Sequence, residues 1–239
     1  MMKRHVSKLV LSGFLGILLL GCATQKKAVP TFNAVDLNPM LSGGEYLPKV
    51  DNFVVIFDKS GSMGDMYKGH KKLDYAKCTV NRMNQTIPNL KLTGSLRTFG
   101  RISVFCTKFT QNLWGPAPYI KSDLAAGLEK VGFSVGESPL NQALDATAAD
   151  LKPAQGDIAV IIFTDADKET MNYDAVRKSA MALKSAYGSR MCIYTVQIGN
   201  DPEGKKLLQE VADIGKCGFY TNADQISSNK DMADFVRKV

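Results

Sequence analysis

Phe53-Val54-Val55-Ile56-Phe57-Asp58-Lys59-Ser60-Gly61-Ser62 joins an unbroken apolar run to a run of small polar residues. Five apolar residues without polar alternation are what a strand covered on both faces requires. A second such run, Ile158 to Phe163, also leads into a polar pair, Thr164-Asp165. Elsewhere the apolar spacing changes to three and four. Leu73, Ala76, Val80, Met83 and Ile87 mark a helix that Pro88 ends, and Leu140, Ala143, Leu144, Thr147 and Leu151 mark another. Ser122 to Val131, Glu203 to Ile214 and Asp231 to Val239 are further helical stretches. Tyr173 to Tyr187 is helical, with Gly188 placed to terminate it. Cys192 to Ile198 and Phe219-Tyr220 read as strands, and Ser95 to Cys106 with Phe109 to Trp114 as a β-rich hairpin. Alternation of this kind predicts an α/β fold: a doubly wound, Rossmann-like, mostly parallel sheet of about six strands with helices on both faces.

Such sheets bind ligands beyond the carboxyl ends of their strands, where the strand order reverses. With the order 3-2-1-4-5-6, the first strand delivers Asp58 and the fourth delivers Asp165 to one crevice. Gly136-Glu137-Ser138-Pro139-Leu140 lies between them in sequence. Ser138 is placed there as an N-cap with Pro139 as the first helical residue, aiming its hydroxyl at the same rim. Hydroxyls and carboxylates are the donors a hard divalent cation takes. Ser60 and Ser62 stand at alternate positions, and Gly61 and Gly64 permit the sharp turn that lets them converge. Asp167, Glu137 and the Lys71-Lys72 pair read as solvated charges.

The stretch Asp58-Lys59-Ser60-Gly61-Ser62-Met63 resembles the DxSxS pattern of von Willebrand factor A (VWA) domains. Gly136 to Leu140 is similar to the second loop of that family, where Thr is commoner than Ser138. Thr164-Asp165 is similar to the third, with Ala166 where Gly is common. The resemblance spans residues 51–239 and implies a metal ion-dependent adhesion site (MIDAS). By that resemblance Ser60, Ser62 and Ser138 ligate the ion directly, while Asp58 and Asp165 act through water. The ion expected is Mg²⁺, with Mn²⁺ and Ca²⁺ as alternatives. The function implied is non-enzymatic binding of a protein or cell-envelope ligand that presents an acidic group. Two other readings are a metal-dependent phosphohydrolase and a scaffold with an incidental metal site. Ser60 stands where a phosphohydrolase of the D-x-D-x-T type needs its second carboxylate, so the general acid/base is missing.

Residues 1–21 read as a lipoprotein signal peptide: Lys3, Arg4 and Lys8, then an apolar stretch from Leu9 to Leu20, then Gly21-Cys22. The apolar stretch is shorter than the roughly 20 residues that span a bilayer. Gly21-Cys22 resembles a lipobox, which makes Cys22 the lipidated first residue of the mature chain. Ala23 resembles the outer-membrane case, so the expected location is the bacterial envelope, anchored at the outer membrane and facing the periplasm. Residues 22–50 carry Pro30, Pro39, Gly43, Gly44 and Pro48 and read as a flexible tether. Removing the leader leaves 27 basic against 23 acidic residues, a net charge of +4 rather than +7. That balance, without a basic stripe interleaved with aromatics, argues against a nucleic-acid partner. Four cysteines remain in an exported chain, which permits disulfides. Cys192 opens one strand and Cys217 precedes the next, so that pair is favoured. Cys78 and Cys106 are left either bonded or as free thiols.

Overall fold

The computed structural model describes residues 32–101, 109–132 and 136–239; the leader, Cys22 and Cys106 lie outside them. Six strands form the main sheet: β1 (Asn52–Asp58), β2 (Thr93–Phe99), β3 (Thr110–Pro118), β4 (Ile158–Thr164), β5 (Met191–Gln197) and β6 (Tyr220–Asn222). Their order is β3-β2-β1-β4-β5-β6. All neighbours run parallel except β2 and β3, which pair antiparallel. The sheet is therefore doubly wound, and the order reverses between β1 and β4.

Every residue of β1 and of β4 is buried. Side chains alternate along a strand, so each strand feeds both faces. Phe53, Val55 and Phe57 enter one core with Ala159, Ile161 and Phe163. Val54 and Ile56 enter the other with Ile158, Val160 and Ile162. The first face is covered by α1 (Lys72–Thr86), α2 (Lys121–Glu129) and α6 (Asn229–Lys238), through residues such as Val80, Leu124 and Phe235. The second is covered by α3 (Leu140–Asp150), α4 (Tyr173–Tyr187) and α5 (Pro202–Ile214), through Leu144, Val176 and Leu208. Each large apolar side chain so buried contributes about 1.5–3 kcal/mol. A polar residue inside either run would therefore cost more than any local preference returns.

The compact unit begins at Phe32, upstream of Asp51. Leu37 is buried, and a short helix follows at Asn38–Ser42. The Asn38 side chain accepts a hydrogen bond from the Asn89 backbone at 2.8 Å, and Lys49 Nζ donates to the Lys238 carbonyl at 3.1 Å. The prolines and glycines of this stretch describe its turns. Its few apolar side chains decide where it lies.

Cys192 at the start of β5 and Cys217 ahead of β6 form a disulfide, with Cα atoms 5.1 Å apart. Cys78 carries a free thiol on the exposed side of α1. Among the described residues, no helix is long and apolar enough to cross a membrane.

Candidate metal centre

The pairing of β1 with β4 runs to Phe57 opposite Phe163, so Asp58 and Thr164 leave the sheet side by side. One oxygen of Asp58 accepts the Thr164 hydroxyl, and the other accepts the Ser60 backbone N–H at 2.7 Å. The chain then turns through a short 3₁₀ helix, Gly61–Gly64, pinned by Met63 in the core. This turn brings the Ser60 and Ser62 hydroxyls to 3.2 Å from each other. Ser62 also donates to Asp165 Oδ1 at 3.1 Å. Asp58, Ser60, Ser62 and Asp165 are thus joined in one hydrogen-bonded chain at the crevice.

Gly61 and Gly64 lie in the turn, yet neither has a positive φ. Gly61 is needed for space instead. Its N–H donates to the Gly136 carbonyl at 3.1 Å, and a Cβ there would stand 3.0 Å from the Gly136 nitrogen. The first and second loops therefore touch backbone to backbone.

Ser138 departs from its expected role. The helix starts at Leu140, and no side chain caps it. The Ser138 hydroxyl lies 3.1 Å from Thr170 Oγ1, and its N–H donates to the Thr170 carbonyl. Thr170 in turn donates to Asp167 Oδ2 at 2.9 Å. The second loop is held to the third by Thr170 rather than closed on its own helix. Asp167 is thereby a framing residue and not the purely solvated charge its position suggested.

The third loop turns at Ala166, whose φ of +52° places a β-carbon in the left-handed region. Its N–H donates to Thr164 Oγ1 at 2.9 Å, so one threonine holds both Asp58 and the turn. Gly204, in the first turn of α5, lies so close that a Cβ would stand 2.7 Å from the Asp165 carbonyl oxygen.

Lys72 belongs to the site. It is not a solvated helix start: its ammonium sits 2.9 Å from Asp165 Oδ2 and 3.7 Å from Asp65 Oδ2. Burial works to lower its pKa, but the hydrogen bond and charge of Asp165 carry it above its ordinary value. Asp58, Ser60, Ser138 and Asp165 are all buried, while Ser62 is half-buried. Burial, and then the Asp165 carboxylate, push the Asp58 carboxyl up to about 7 against the hydrogen bonds from Ser60 and Thr164. Burial likewise raises Asp165, which the Lys72 and Ser62 hydrogen bonds oppose.

Two buried carboxylates, both raised by burial and the Asp58 one also by Asp165, beside serine hydroxyls, suit a hard cation with oxygen ligands. Among the described residues no group of three or more His, Cys, Asp or Glu is gathered for a metal. An ion held here would therefore depend on the serines. The residues present fit a divalent cation of the Mg²⁺, Mn²⁺ or Ca²⁺ kind.

No protein-family model matches the chain, and no curated protein matches it. Solved structures do match its fold. It superposes on the vWF domain of a type V pili tip protein from Porphyromonas gingivalis with a TM-score of 0.58 at 10% identity, covering 80% of this chain and 96% of that one. A von Willebrand factor type A protein from Catenulispora acidiphila gives 0.55 at 17% identity, over 79% of this chain and 41% of that one. The fold is that of a VWA domain. Proximal thread matrix protein 1 from the mussel byssus, solved with a zinc-occupied MIDAS motif, gives 0.53 at 18% identity, over 78% and 44%. The VWA fold of this chain thus spans less than half of the Catenulispora and byssal chains. At these identities the likeness concerns fold, and the site rests on the residues described above.

Proposed function

We propose that this VWA domain is a non-enzymatic binding module that takes a protein or cell-envelope ligand through a divalent cation. The observation that carries the reading is the hydrogen-bonded chain Asp58–Ser60–Ser62–Asp165, built from two loops that meet at the reversal of strand order. Ser60, Ser62 and Ser138 would hold the ion, with Asp58 and Asp165 acting through water. When bound, the ion supplies an electron-poor open position for an acidic group of the partner. Mg²⁺ suits the site best in an envelope setting, with Mn²⁺ and Ca²⁺ as the other candidates. Ser60 at the position of a second carboxylate favours binding over phosphoryl chemistry.

The setting in this reading is the bacterial envelope, with Cys22 lipidated and the domain facing the periplasm from the outer membrane. The Cys192–Cys217 disulfide supports an oxidising compartment. Titration with Mn²⁺, followed by calorimetry or electron paramagnetic resonance, tests the metal centre. Binding that is lost in Asp58→Ala is the expected result; no binding by the folded wild type ends this reading. Capture from envelope extract with and without EDTA then tests the partner. A ligand retained equally in both would favour a scaffold whose metal is incidental.

A further inference from the structure

Three of the roughly four acceptor directions of the Asp165 carboxylate are already taken. Its Oδ1 accepts the Ser62 hydroxyl at 3.1 Å and the Asp167 N–H at 3.3 Å. Its Oδ2 accepts the Lys72 ammonium at 2.9 Å. Lys72 is the first residue of α1, and its position is set by the segment before it. Met66–Tyr67 pairs with His70–Lys71 as a small antiparallel hairpin, and the Lys72 N–H donates to the Asp65 carbonyl at 2.9 Å. The aliphatic stem reaches inward past Gly199, where even a Cβ would stand 3.6 Å from Cε. The ammonium ends in a cleft of about 380 Å³ lined by Lys72, Asp165, Asp167, Ile198, Asn200 and Asp201. A second acceptor waits outside: Asp65 Oδ2, 3.7 Å away on a side chain that is 70% exposed.

Resting on the metal-centre reading above, we propose that Lys72 is a tethered counter-cation that competes with the divalent ion for Asp165 and sets the concentration at which the centre fills. An ammonium and a metal sharing one carboxylate repel each other at a few ångströms, and the dielectric of a buried site does little to screen them. Lysine suits the task because its charge is compact and its stem is flexible, so the head can leave without the backbone moving. Asp65 would receive the ammonium when a metal engages Asp165 through its bound water. Metal binding is thereby coupled to a lysine movement of a few ångströms towards solvent. The coupling is reciprocal: whatever holds Lys72 away from Asp165 tightens the metal. An acidic partner docking beside the centre would do this, so ligand and metal would reinforce each other.

The test is Mn²⁺ affinity by calorimetry on the full domain, with folding checked by circular dichroism. Lys72→Met keeps the stem and removes the charge, and should bind Mn²⁺ about tenfold more tightly. Lys72→Arg keeps the charge and should stay near wild type or bind more weakly. Asp65→Asn removes the outer acceptor and should weaken binding two- to threefold, a change well within reach of one exposed charge. A folded Lys72→Met that binds Mn²⁺ equally or less tightly overturns the proposal and makes Lys72 a support for Asp165. If Lys72→Met does not fold, the wild-type Lys72 ammonium resonance during a Mg²⁺ titration decides. It should shift as the ammonium passes from buried Asp165 to exposed Asp65 on metal binding, and an unmoved signal overturns the proposal. Absence of Mn²⁺ or Mg²⁺ binding in every folded form, Lys72→Met included, is a different failure: it removes the metal centre itself.

Discussion

The two ends of the sheet are built on opposite terms. At the carboxyl ends of β1 and β4, the buried groups are Asp58, Ser60, Ser138, Thr164 and Asp165. At the amino ends, a cavity of about 100 Å³ is lined by Leu37, Leu41, Phe53, Met83, Phe235 and Val239, with the 32–50 segment folded over it. The same strands run through both. One end gains free energy from apolar area. The other buries two carboxylates that repel and must recover the cost through short hydrogen bonds. Among the described residues, buried carboxylates are thus confined to the carboxyl end, while apolar burial runs the length of the strands.

That division can be broken by experiment. The largest effect belongs to Phe235→Ala, which empties a buried ring at the amino end. It should lower unfolding free energy by about 3–4 kcal/mol in urea titration while leaving Mn²⁺ affinity unchanged. Loss of metal affinity in the folded variant would show the ends are coupled. The Cys192→Ser, Cys217→Ser pair comes next. It opens a cross-link of 25 residues separation at the same end, and should cost about 3 kcal/mol with the site intact. Asp58→Asn should invert the pattern. Mn²⁺ binding should vanish, while stability holds or rises by about 1 kcal/mol, because a buried carboxylate becomes a neutral amide. A strongly destabilised Asp58→Asn would place structural weight at the carboxyl end after all.

The smallest effect is expected at Ala166. Glycine there would relieve a left-handed β-carbon, worth roughly 1–2 kcal/mol. It would also remove a buried methyl, worth about 0.8 kcal/mol, and loosen the unfolded chain by about as much. The terms nearly cancel, so Ala166→Gly should move the melting temperature little in either direction. A clear gain would mark the third loop as strained.

What sequence pattern made legible at each end differs for a physical reason. The runs from Phe53 to Phe57 and from Ile158 to Phe163 announce buried strands because every position obeys one rule. Helix periodicity does the same for α1, α3 and α4. Asp58, Ser60 and Ser62 were legible because three functional groups fall within five residues. The partners that frame them are not local. Lys72 meets Asp165 across 93 positions, and Ser138 meets Thr170 across 32. No periodicity encodes such meetings, so Ser138 looked like a cap and Lys72 like a solvated charge. The 32–50 segment failed in the other direction. Its prolines and glycines are real turn signals, but one well-placed leucine with one asparagine bond seats it on the domain.

The Lys49 contact with the Lys238 carbonyl joins the chain's entry to the end of α6, at the amino ends of the strands. Seven-residue strands separate that point from Asp58, a span of roughly 23 Å. A label attached beside Lys49 would therefore sit a full strand's length from the three loops, at the opposite end of the sheet.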